Sequence, residues 1–78
     1  MNRTWGTELY STSRIDNAQD GFSSIELFKT IKDIREKVAS VTFWDACGQF
    51  SITTFNFDLP IEIVEELIRE AKVQIRVQ

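Results

Sequence analysis

Three sets of side chains in this chain are of kinds that do chemistry elsewhere. They are the single thiol Cys47, the carboxylates Glu62, Glu65, Glu66 and Glu70, and five aromatic residues within TFWDACGQFSITTFNF, namely Phe43, Trp44, Phe50, Phe55 and Phe57. A cysteine nucleophile needs a thiolate, and the carboxylate of Asp45, two residues away, raises a thiol's pKa rather than lowering it. Histidine is absent, so no Ser-His or Cys-His pair can be assembled. The expected role of Cys47 is that of a small residue finishing a strand; a redox or intermolecular role is the alternative. One thiol without histidine also gives no zinc or iron-sulfur framework. Gly6, Gly21 and Gly48 stand too far apart for a phosphate-cradling loop or a dinucleotide fingerprint. The expectation is a non-enzymatic protein without metal or cofactor.

On a helix, Glu62, Glu66 and Glu70 form a four-step ridge with Glu65 beside it, where Glu65 can pair with Arg69. That spacing suits a solvated face or a docking surface for a basic partner better than a metal site. Asp45 and Asp58 extend the same acidic stretch, because Val38 to Ile68 contains no Lys or Arg. The missing bases also decide the aromatic run. Base-stacking sheets pair their aromatics with Lys or Arg that hold phosphates, so direct binding of nucleic acid is not expected. Phe43, Phe50 and Ile52 read as core. Trp44, Phe55 and Phe57 are divided between core and a contact surface, because Phe55 and Phe57 have the opposite parity from Phe50 and Ile52 in a regular strand. A bulge near Thr53-Thr54 would return them to the core; without one they face a partner.

Elements must hold these groups in place. The composition, 42% hydrophobic and 27% charged with a net charge of −3, is that of one small globular domain over 1–78. Residues 1–15 alternate weakly and read as a strand or arm; 16–22 carry turn residues and read as a loop. Ser23 and Glu26 fit a capping box, with Phe22 and Leu27 as a hydrophobic staple. Leu27, Phe28, Ile31, Ile34 and Val38 follow at three- and four-residue steps, predicting a helix over 23–39. The β-branched and aromatic residues of 41–57, broken at Gly48, predict a β-hairpin with loop Cys47-Gly48 or Gly48-Gln49. Asp58 as cap and Pro60 in the first turn open a helix over 59–75, although Val73, Ile75 and Val77 alternate well enough for an edge strand. The expected fold is α+β, a two-layer domain in the order β-α-β-β-α, with a three-stranded, mostly antiparallel sheet and two helices on one face.

No apolar run approaches the ~20 residues that cross a bilayer, and MNRTWGTELYSTSR lacks the apolar core of a secretory signal. A cytoplasmic, intracellular location is therefore expected. The function expected on these grounds is a protein-protein interaction module that occupies, and so inhibits, a surface of a larger macromolecule. Its carboxylates would stand where phosphates sit in a basic groove. Small inhibitors encoded by phages or mobile elements, anti-CRISPR proteins among them, are of this general type. The alternative is a structural or regulatory subunit, either a homodimer joined through the tail strand with Trp44 and Phe55 in the interface or a member of a host complex.

Overall fold

The computed structural model describes residues 1–55 and 58–75. Five strands, β1 (Asn2–Trp5), β2 (Glu8–Asn17), β3 (Phe22–Ile31), β4 (Ile34–Trp44) and β5 (Gln49–Thr54), precede one helix, α1 (Ile61–Gln74). The strands form a single antiparallel meander in the order β1-β2-β3-β4-β5. Each strand is held by its sequence neighbour, so tight turns do most of the topological work. Lys32 and Asp33 join β3 to β4 with φ of 49° and 65°, the left-handed pair that a two-residue hairpin loop demands. The β2–β3 turn is pinned by Asn17, whose Oδ1 accepts from the Asp20 N–H at 2.8 Å. Gly21 then takes φ +72° beside Asp45, and its carbonyl accepts from the Asp45 N–H at 2.9 Å, which ties the β2–β3 and β4–β5 loops together.

Directly opposed residues point to the same side of a sheet. The registers Ile25↔Val41, Leu27↔Ala39 and Val41↔Ile52 therefore set one inner face, on which Tyr10, Ile25, Leu27, Ala39, Val41 and Phe43 are buried. The helix covers that face with Ile63, Leu67 and Ala71, joined by Ile75 at its end. Alternation fails once. Leu27 opposes Ala39 while Phe28 opposes Lys37, so Val38 is an extra residue in β4. This bulge lets consecutive residues, Val38 and Ala39, both enter the core with no exposed surface.

The observed architecture replaces the expected one. Among the described residues the sheet has five strands rather than three, there is one helix rather than two, and the α+β description gives way to a mostly β chain closed by a helix. The segment 23–39 is not helical. Ser23 lies in β3, and Glu26 reaches across to Lys37 Nζ at 2.7 Å rather than back to a helix start. Its three- and four-residue apolar steps arise because Leu27 faces inward, Phe28 faces outward, Ile31 and Ile34 flank a turn and Val38 sits in the bulge. Residues 16 and 17 belong to β2 and Phe22 to β3, so the loop is shorter than 16–22. The hairpin expected over 41–57 is the end of a long β4 plus β5, and its loop is neither expected pair. Asp45 to Gly48 bridge it, Phe43 opposes Phe50, and the Gly48 N–H donates to Trp44 O at 2.9 Å. Pro60, not Asp58, is the N-cap of α1, and no side chain bonds there; its carbonyl accepts from the N–H groups of Ile63 and Val64. Val73 lies within the helix and Ile75 caps it, so the described part of the tail is not a strand; Val77 lies outside the described residues.

Candidate functional site

The acidic ridge is largely engaged inside the chain. Arg3, on β1, reaches Glu62 Oε2 at 3.2 Å and Glu66 Oε1 at 3.3 Å. The Met1 amino group donates to Glu70 Oε1 at 2.6 Å, while Glu70 Oε2 is buried without a partner among the described residues. At the other end of α1, Arg14 Nη1 donates to the Gln74 carbonyl at 2.9 Å, a cation at the negative end of the helix dipole. These contacts fasten the helix to the β1–β2 hairpin. Glu65 and Asp58 remain exposed near the helix start, and Asp45 lies in the loop after β4. The eight described residues of the nine expected at the contact are thus not gathered into one patch; Phe57 lies outside the described residues. Among the described residues, no three Cys, Asp or Glu side chains converge where they could hold a metal ion. Cys47 is exposed in the Asp45–Gly48 loop rather than ending a strand, with its Sγ 3.8 Å from Trp44 O.

The side of the sheet away from the helix has a different character. Opposed pairs place Phe22 with Trp44, Ser24 with Thr42, Thr42 with Ser51 and Phe28 with Lys37 on this outer face. At one end Phe22 and Trp44 stack across the strands, with centroids 5.1 Å apart and planes tilted by 48°. At the other end the Arg35 guanidinium lies 3.7 Å over the Phe28 ring, and Lys37 Nζ stands 5.6 Å from the Phe55 ring and 2.7 Å from Glu26 Oε2. Between them runs a band of hydroxyls in which Ser24 Oγ and Thr42 Oγ1 lie 3.1 Å apart. Trp44 keeps 43% and Phe55 38% of their surface in solvent, and Leu9 and Ile15 on the same face are also exposed. No described element lies across these residues. The register β4–β5 is unbroken through Thr53 and Thr54, so Phe55 stays outward, as its parity in the sequence requires.

Phe22, Phe28, Arg35 and Lys37 escaped the sequence reading because all four fall in or beside the segment read as a helix. The signal that could have found them is the Thr30-Ile31-Lys32-Asp33-Ile34 stretch, where β-branched residues flank two polar ones as in a hairpin. No helix among the described residues is long and apolar enough to cross a membrane. A scan of protein-family models returns no match for this chain, and comparisons with curated proteins and with solved structures return none either.

Proposed function

We propose that this chain is a non-enzymatic binding module that occupies a surface of a larger protein partner through the outer face of its sheet. The observation that carries this is the Phe22–Trp44 pair at one end, and Phe28 under Arg35 with Phe55 beside Lys37 at the other, left partly open on a face that no described element covers. Aromatic and Arg side chains dominate binding energy at protein interfaces, and exposed aromatic side chains on an open face mark such contacts. Serine and threonine between the anchors give adaptable hydrogen bonding at low entropic cost. The carboxylate ridge supports the reading less well, because Glu62, Glu66 and Glu70 already have partners within the chain.

Affinity capture from lysate of the source cells tests the assignment with three baits. The wild-type chain and a Glu62→Gln, Glu65→Gln, Glu66→Gln variant retain the same partner, and a Trp44→Ser, Phe55→Ser variant loses it. Titration of that partner gives a loss of at least ~10-fold for the aromatic variant, since each anchor contributes about 1–2 kcal/mol or more. Loss confined to the carboxylate variant moves the contact surface to the helix and overturns the proposal.

A further inference from the structure

We infer that β5 is the seam of a two-fold dimer, in which the β5 strands of two copies pair antiparallel and join the two sheets into one. Among the described residues β5 pairs only with β4, and the direction of its backbone groups follows from the hydrogen bonds beside it. The Phe55 N–H donates to Val38 O at 3.1 Å. Backbone groups in antiparallel strands turn alternately to either side, so Gln49, Ser51 and Thr53 face β4 while Phe50, Ile52 and Thr54 direct their N–H and C=O groups outward. The bond from Asp45 N–H to Gly21 O fixes the same parity independently, since it turns the odd residues of β4 to β3 and the even ones to β5.

The two edges of the sheet are unlike. The strand β1 is four residues long and carries Arg3, itself tied to the helix; shortness and charge are common protections of an edge. The strand β5, Gln49-Phe50-Ser51-Ile52-Thr53-Thr54, has no charge, no proline and no bulge in its register. Beside it an open groove of about 240 Å³ runs between β5 and α1, lined by Val41, Phe50, Ile52, Ile68 and Lys72. Ile52 on its floor is 45% exposed.

A second copy meets the chemical requirements of this edge. Opposed residues must share a face, so two β5 strands related by a two-fold axis can pair only about a residue that opposes itself. Centring the axis on Ile52 puts Ile52 against Ile52 and Phe50 against Thr54, all with outward backbone groups, and forms about six intermolecular hydrogen bonds. No like charges are set opposite each other, because the strand has none. Both helices then lie on one side of the joined sheet, and the two grooves, mostly apolar but with Lys72 at the helix, open onto each other across the axis.

Sedimentation equilibrium of the full chain tests this. The wild-type protein is expected at twice its 9.0 kDa mass at tens of micromolar, and a strict monomer there overturns the inference. Ile52→Lys and Ile52→Glu are each expected to weaken dimerisation at least ~10-fold, because each sets two like charges opposite one another and removes an apolar contact. Both should retain the wild-type far-ultraviolet circular dichroism, since Ile52 is half exposed. An equimolar mixture of the two restores the dimer, as opposite charges then meet at the axis. A mixture that stays monomeric, or an Ile52→Lys variant that remains dimeric, overturns the register. Trp44→Ser, Phe55→Ser leaves the mass unchanged, which separates this seam from the outer face.

Discussion

Tyr10 is the only tyrosine of the chain; it is wholly buried and donates its hydroxyl to Glu8 Oε2. Burial and, after it, the neighbouring Glu8 carboxylate hold its phenol well above the ordinary value, since both oppose a phenolate there. The folded state therefore keeps a proton that the unfolded chain gives up above about pH 10. Stability is unaffected below that point and falls as pH rises through it, because the native state then binds more protons than the unfolded one. The absorbance of the single phenolate is expected to appear together with loss of the folded dichroism. A tyrosine that ionises near pH 10 in the folded protein would refute the argument, and Tyr10→Phe should remove the tyrosine's share of the alkaline transition. Leu67, fully buried between helix and sheet, bears on packing instead. Leu67→Ala should cost about 2–5 kcal/mol, a large part of the total for a chain this small, and lower the melting temperature by roughly 10 °C or more.

Among the turns, the β3–β4 pair has the least suitable residues. Lys32 and Asp33 both hold positive φ, where side chains other than Gly, Asn and Asp are penalised. Replacing the pair, Lys32→Asn with Asp33→Gly, should stabilise the hairpin by about 1 kcal/mol, measured as a higher urea midpoint with an unchanged slope. A lower midpoint would mean that the lysine has a role the turn geometry does not reveal. The same pair explains much of what the sequence concealed. Lys-Asp lacks the glycine or asparagine of a strong hairpin turn, leaving only the flanking β-branched residues as a signal, the bulge at Val38 breaks the inward alternation, and Phe28 places an apolar residue on the outer face, so two strands imitate a helical period over 23–39. Where such interference is absent, the elements could be read. Pro60 and the four-step ridge Glu62, Glu66, Glu70 mark α1, whose packed side is Ile63, Leu67 and Ala71, and Gly48 marks the loop between β4 and β5. The outward direction of Phe55 follows from counting residues along β5, and that of Trp44 follows from its place next to the inward Phe43 in β4. The pairing of Glu62 and Glu66 with Arg3 was not legible, because it joins residues about sixty positions apart that only the finished fold brings together.

The molecule, 38 × 22 × 20 Å along its principal axes, is two-sided: a carboxylate-bearing helix is fastened over one sheet face, and aromatics and hydroxyls lie on the other. The sheet depends on that helix. Without α1, Ile25, Leu27, Val41 and Phe43 would lie on an open apolar surface, and a chain ending at Asp58 is expected to give a broad, poorly dispersed amide spectrum and to self-associate. A well-dispersed spectrum from that fragment would show that the meander is self-sufficient. The fastening of α1 to β1 also orders events in time. Every strand can pair as soon as its neighbour has been made, whereas the contacts of Met1 and Arg3 with Glu70, Glu66 and Glu62 close loops spanning nearly the whole chain. During synthesis β1 is therefore made well before the helix that fixes it. Until then, the growing meander presents its apolar face and its neutral β5 edge to the cell, and the speed with which the final turns of helix emerge sets how long that exposure lasts.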